Sequence, residues 1–361
     1  MTRGARCNGF VIRPLFCRRA SLPLERFFDG IEFTMRVLVV GGAGYIGSHS
    51  AWMLQRGGHE IWVYDNLSEG HQAAVRDGKL IVGDLIDREK LEQVFGEHEI
   101  DAVMHFAASC YVGVSVTDPA PYYQNNIVGT LSLLDAMRAS SVEKIVFSST
   151  CATYGIPDLV PITEAEKQAP INPYGFTKLA IEHALADYSH AYGLQYAALR
   201  YFNASGASDE NPIGEDHEPE THLIPLVLQV ALGQREKIRI FGEDYPTRDG
   251  TCIRDYIHVD DLAAAHVAAL EKLRPGSQLK LNLGTGQGAS VKEVIDASRR
   301  VTGHEIPAEI VPRRAGDPPQ LVADASLANK ILGWQPKYTD IEAIVASAWK
   351  WHREHPHGYN G

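Results

Sequence analysis

The sequence predicts a doubly wound α/β fold, a parallel sheet covered by helices on both faces, with a smaller α/β lobe attached. Three observations carry this. From Met35 onward, short apolar runs alternate with helical stretches. The runs are nearly continuous in Val, Ile, Leu and aromatic residues, as strands buried on both faces must be. A glycine-rich turn joins the first run to the first helix. Strand–helix alternation then implies parallel strands with right-handed crossovers.

The expected strands are RVLVV (36–40), EIWVY (60–64), KLIVG (79–83), DAVMHF (101–106), KIVFSS (144–149) and QYAALRY (195–201). Helices are expected near 46–57, 87–95, 120–139 and 173–191. These place a first α/β domain at 35–203. After it, NASGASDENPIGEDHEPETH is rich in Gly, Pro, Asn and acids and reads as a long loop, a feature more often functional than idle. Residues 204–361 then supply helices near 222–233, 259–273, 290–302 and 339–353, with strands near 237–241, 279–283 and 308–311. This is expected to be mainly a second, smaller lobe interleaved with the first.

Residues 1–34 differ in kind. They carry six arginines, and their apolar run FVIRPLF is broken by an arginine and a proline, so a secretory signal fails. Glu25, Asp29 and Glu32 count against an organellar presequence. The segment reads as a disordered extension or an over-long start.

A formal net charge of −11 argues against broad binding to nucleic acid or to an anionic membrane. No apolar run is long enough to span a bilayer. Five scattered cysteines suit a reducing compartment, the cytoplasm, and lack zinc-site spacing. HEPETH (217–222) misses the zincin pattern by one residue and contains a proline, so no metal is expected. No Gly-x-Ser-x-Gly elbow supports a serine hydrolase.

The chemistry starts at VLVVGGAGYIGSH (37–49). Gly41, Gly44 and Gly47 stand three apart, and Gly42, Gly44 and Gly47 also fit Gly-x-Gly-x-x-Gly. Such glycines permit a tight turn, let backbone approach a pyrophosphate, and let the helix pack against the strand; the helix N-terminus then faces the phosphates. Asp65 ends the second strand, where a carboxylate binds an adenosine ribose 2′-hydroxyl. No arginine follows in DNLSEG, so NAD is preferred to NADP. GDL (83–85) puts Asp84 near the adenine.

NPYGFTK (172–178) places Tyr174 and Lys178 one helical turn apart on one face. A free phenol titrates near ~10, and lowering it by about three units takes roughly 4 kcal/mol. The Lys178 charge is expected to supply part of that lowering.

These features, with HFAA, YYQNNIVGTLSLL, FSSTCATYG, LRYFNASGA, FGEDYPTRDGTCIRDYIHVDDLA and RRAGDPP, resemble the extended short-chain dehydrogenase/reductase family. Within it, the chain from Met35 to the C-terminus is similar to the UDP-glucose (UDP-galactose) 4-epimerases. The resemblance implies that Tyr174, Lys178 and Thr150 are catalytic, with threonine where serine is common. It implies that Tyr45, Ile46, Asn66, Leu85, Phe106, Ala107, Ala108, Asn125 and Phe202 join the glycines around NAD. It also implies that Arg254 and Arg314 clasp the substrate diphosphate beside Asn203, and that Asp317 meets the uridine ribose. His222, Leu223, Arg239, Ile240 and Phe241 would line the uridine side, and Leu321 would set the sugar pocket's size. The implied reaction is reversible oxidation of the sugar at C4, turning of a 4-keto sugar, and reduction on its other face. The implied partners are UDP-glucose and UDP-galactose, and a second copy of the chain in a homodimer.

Rival readings stay within reach of the same motifs. TCA (150–152) offers no carboxylate, which disfavours 4,6-dehydration. Epimerisation of UDP-xylose/UDP-arabinose or UDP-GlcNAc is an alternative; leucine at 321 leaves more room than an aromatic ring would. A non-catalytic NAD sensor would not need Thr150, Tyr174 and Lys178 together. GTGQG (284–288) lacks the full dinucleotide spacing and reads as a turn.

Overall fold

The first apolar run forms the middle of the sheet. In the computed structural model, which describes Met1 and residues 34–76, 78–314 and 316–360, Val37, Leu38, Val39 and Val40 are fully buried. The elements of the first half are β1 (Arg36–Val40), α1 (Tyr45–Arg56), β2 (Glu60–Asp65), β3 (Lys79–Val82), α2 (Arg88–His98) and β4 (Ala102–His105). They continue with α3 (Val112–Thr117), α4 (Ala120–Tyr122), a π-helical turn (Tyr123–Val128), α5 (Gly129–Ala139), β5 (Lys144–Thr150), α6 (Pro173–Tyr192) and β6 (Gln195–Tyr201). Next come β7 (Asn203–Ser205), α7 (Leu223–Ala231), β8 (Ile238–Phe241), β9 (Ile253–Arg254), β10 (Tyr256–His258), α8 (Val259–Lys272) and β11 (Gln278–Leu283). The last are β12 (Ala289–Ser290), α9 (Val291–Thr302), β13 (Ala308–Val311), β14 (Gln320–Leu321), α10 (Ser326–Leu332) and α11 (Ile341–Glu354).

Seven strands make one sheet in the order β11-β6-β5-β4-β1-β2-β3, and every pairing in it is parallel. The order reverses between β1 and β4, the crevice where doubly wound sheets bind ligands. On one face, α2, α5 and α6 deliver Leu91, Val94, Phe95, Leu133, Met137, Ile181 and Leu185 onto Leu38, Tyr64, Val103 and Phe147. On the other face α1 packs against α8.

Two departures from the sequence reading stand out. The strand near 279–283, expected in the smaller lobe, pairs with β6 as the seventh strand of the main sheet. The helix expected over 120–139 is interrupted by the π turn, which sits beside the crevice; such turns commonly mark functional positions. The expected extension 1–34 falls, but for its two end residues, outside the described residues. No helix among the described residues is long and apolar enough to cross a membrane.

The smaller lobe is built from short ladders. β8 pairs in parallel with β13, and β9 lies between β12 and β14. α7, α9 and α11 bury Ile224, Leu228, Val294, Ala297, Ile344, Val345 and Ala348 together. β7 and β10 link the lobes by a parallel ladder that pairs Asn203 with Tyr256.

Candidate active site

A cleft of about 1190 Å³ runs from the glycine turn to the smaller lobe. At one end, Gly41 has φ +76°, and a Cβ there would lie 2.4 Å from Ala107 N. A Cβ on Gly47 would lie 2.1 Å from Gly41 O, so the helix can approach only without a side chain. Gly44 is open toward the cleft, and it precedes α1 with no side-chain cap and no acidic residue in the first turn. The first N–H groups of α1 are therefore free to receive an anion. Asp65, at the end of β2, is fixed by Ala43 N (2.9 Å) and Leu67 N (2.8 Å). Burial raises its pKa above the usual carboxylate value, while those two N–H groups pull it back. This end fits a dinucleotide: open backbone for the pyrophosphate and a carboxylate one strand over.

Tyr45, Ile46, Asn66, Leu85, Phe106, Ala107, Ala108, Asn125 and Phe202 all line the same cleft. Asp84 does not. It stands behind Asn66, whose Nδ2 donates to its Oδ2 at 2.8 Å, and accepts from Ile86 N at 3.1 Å. Gly47→Ala is a clean test of the fit. Overpacking costs ~1–3 kcal/mol, so NAD binding should weaken by about 10- to 100-fold. Nucleotide released from the purified variant by heat and quantified by absorbance checks it; wild-type content would contradict the assignment.

The cleft's centre holds Thr150, Tyr174 and Lys178. α6 starts at Pro173 after Asn172, whose Oδ1 accepts from Gly175 N at 2.8 Å, so Tyr174 lies in the first turn. Lys178 follows one turn later, with Nζ 6.0 Å from the Tyr174 ring centroid. Its ammonium donates to Ser148 O at 2.8 Å, and burial pulls its pKa down to about 8. Burial also pushes the Tyr174 phenol well above its ordinary value, against the downward pull of the Thr150 hydroxyl. Burial, not the Lys178 charge, is the largest influence on the phenol. Desolvation dominates both groups.

At the far end, Arg254 and Arg314 both reach Asp317, at 2.8 and 2.9 Å. Asp317 thus holds the two guanidinium groups side by side. Asn203, His222, Leu223, Arg239, Phe241 and Leu321 line the wall. Ile240 does not. β8 alternates, so Arg239 and Phe241 are exposed while Ile240 is buried against Val227, Ile295 and Ile306.

Residues the sequence reading missed hold this site in place. Asn126, fully buried, donates to Ser109 O (3.1 Å) and Thr177 Oγ1 (3.0 Å), tying the π turn to α6. Glu182 accepts from Arg200 Nη2 at 2.6 Å and from Ser149 Oγ at 2.6 Å. Arg200 Nη1 donates to the Tyr154 hydroxyl at 2.9 Å, and Tyr154 to Asn282 Oδ1 at 2.7 Å. Glu182 continues the Tyr174–Lys178 spacing by one more turn, a signal legible in the sequence. Glu215, His217, Glu220 and His222 converge, their ligand atoms within 4.8 Å of one another. A loop, not a helix, brings them together, which a helix-based spacing test cannot detect.

Residues 37–284 match the NAD dependent epimerase/dehydratase family. The chain is 57% identical over 327 residues to a UDP-glucose 4-epimerase of Halalkalibacterium halodurans, covering 90% of this chain and 98% of that one. It resembles the crystal structure of UDP-glucose 4-epimerase from Brucella ovis in complex with NAD, with TM-score 0.85 and 54% identity, over 88% of this chain and 98% of that one. It also resembles the Bifidobacterium longum enzyme in complex with NAD⁺ and UDP, with TM-score 0.86 and 41% identity, over 90% and 100% of the two chains.

Proposed function

The chain belongs to the NAD dependent epimerase/dehydratase family, and from that premise we propose that it is an NAD-dependent 4-epimerase interconverting UDP-glucose and UDP-galactose. The observation that carries the reading is one continuous cleft with a dinucleotide turn at one end, a paired-arginine wall at the other, and Tyr174 with Thr150 between them. When bound, NAD⁺ would accept the C4 hydride and, once reduced, return it, and would add a positive charge to the cleft.

Tyr174 takes the proton of the sugar 4-hydroxyl and returns it after the 4-keto sugar has turned. Thr150 offers its hydroxyl to the same oxygen, and Lys178, held on Ser148 O, keeps a cation beneath the tyrosine. Because the sugar must turn, binding energy belongs on the nucleotide. Arg254 and Arg314 hold the diphosphate with the planar fork suited to it, and Asp317 moves to the ribose as they engage. Residues 35–203 carry mainly the cofactor and 204–361 mainly the substrate. The enzyme works in a reducing compartment, the cytoplasm. Leu321 faces the cleft and packs on Cys151 and Phe202; its size supports some turnover of UDP-GlcNAc.

A coupled assay of the purified protein on a panel of UDP-sugars, with and without added NAD, tests this reading. Interconversion of UDP-glucose and UDP-galactose is the expected result. An NAD-loaded protein inert toward both sinks it, and turnover confined to a pentose or an N-acetylated sugar moves the assignment to that sugar.

Two copies pair through the outer faces of α5 and α6. What supports this is the exposure of Leu131 and Phe176 on those helices. Leu131→Glu buries an unpaired charge in that interface. Light scattering should fall from twice 39.7 kDa to a single chain; a wild-type protein that is already monomeric refutes the pairing.

A further inference from the structure

The loop between β7 and α7 carries a constellation that has no part in the proton exchange at Tyr174, although Glu215, His217 and His222 line the same cleft. Glu215, His217, Glu220 and His222 offer two imidazoles and two carboxylates whose ligand atoms lie within 4.8 Å of one another. His222 Nδ1 is 3.0 Å from Glu215 Oε1 and 2.8 Å from Glu220 Oε1. His217 Nδ1 is 3.5 Å from Glu215 Oε1 and 3.5 Å from Glu220 Oε2. That nitrogen is buried and has no hydrogen-bond partner, a costly condition for a ring nitrogen. Glu220 is oriented independently, its Oε1 accepting from the backbone N–H of Thr221 (2.6 Å) and His222 (2.7 Å).

Two carboxylates beside two neutral imidazoles balance one dication. A cation would use all four donors. The mixed nitrogen–oxygen set suits zinc and its first-row neighbours, not magnesium or calcium, which prefer oxygen alone.

We infer that Glu215, His217, Glu220 and His222 form a binding site for a divalent transition-metal cation of the zinc class. The site braces the loop and takes no part in the chemistry at C4. The His217 ring meets the edges of Tyr45 and Tyr111, each at 6.4 Å between centroids, and the Tyr45 hydroxyl donates to Gly206 O at 2.6 Å. A cation here would tie the loop that carries His222 to the dinucleotide turn and to the segment after β4.

The test uses the full chain, free of any polyhistidine tag, stripped with a chelator and titrated with Zn²⁺ against a chromogenic competitor. One equivalent per chain at about 1 µM Kd or tighter is expected. The double variant His217→Ala/Glu220→Gln should bind at least about 30-fold more weakly, whereas His304→Ala, exposed and elsewhere, should match wild type. Zn²⁺ should raise the unfolding temperature of wild type and leave the double variant unmoved. If the double variant fails to fold, His217→Gln alone decides the same comparison. Wild-type binding no tighter than the variant's, or a tight single site that survives the substitutions, overturns the proposal.

Discussion

Tyr174→Phe should lower turnover by about 10²- to 10⁴-fold, the range lost when a positioned acid–base group is removed, while NAD stays bound. The substitution keeps the ring and its packing, so stability should change little. Only the phenolic oxygen goes, and with it the group that exchanges a proton with the 4-hydroxyl. Cofactor retention follows from geography. The glycine turn and Asp65 lie at the other end of the cleft and do not depend on that oxygen. Initial rates on UDP-galactose, with nucleotide content measured on the same preparation, check both halves. A variant that turns over at the wild-type rate would show that another group carries the proton. A variant that loses NAD and activity together would show that Tyr174 serves binding first.

Glu182→Ala should destabilise the fold by about 3–5 kcal/mol, the cost of stranding one partner of a buried ion pair. Arg200 and Glu182 are 2% and 0% exposed at their side chains. Removing the carboxylate therefore leaves a guanidinium without water or counter-charge, and frees Ser149 next to Thr150. Glu182→Gln keeps a hydrogen-bond acceptor and should cost less. Burial pushes the Glu182 carboxyl up, but Arg200 and the hydrogen bonds from Ser149 and Gln168 outweigh it, so its pKa lies below the ordinary value. A depressed carboxylate stabilises the fold fully above its unfolded pKa, and that stability is lost as pH falls through the folded value. Urea unfolding at neutral and acidic pH should show the gap between wild type and the Glu182→Ala variant narrowing on acidification. A gap below about 1 kcal/mol at neutral pH would mean that water or a shifted partner replaces the carboxylate.

Much of the sheet could be read from the chain because its strands are buried on both faces. RVLVV, DAVMHF and KIVFSS announce themselves by continuous apolar character, whichever neighbours they have. The glycine turn and Asp65 were legible for a related reason: backbone clearance and a strand-end carboxylate are local demands. What escaped depends on distant partners. α3 has the sequence VGVSVT, β-branched and without helical periodicity, yet it folds as a helix packed on α6. β9, β10, β12 and β14 are only two or three residues long and exist because a ladder partner arrives from elsewhere. Within the site, the joint motif match brought Arg254, Arg314 and Asp317 together without revealing that Asp317 bridges the arginines. Ile240 turns its side chain away from the cleft because a pleated strand presents only alternate side chains to one face.

β11 gives the molecule a property of a different order. The strand beside β6 is synthesised some eighty residues after it, once part of the smaller lobe's chain has been made. A fragment cut after Tyr201 would thus leave the flank of Gln195–Tyr201 with unsatisfied main-chain groups, an invitation to pair with another molecule. Neither half is a portable module. Shuffling the substrate lobe between relatives requires carrying residues 278–283 along with it, or the recipient sheet will be one strand short.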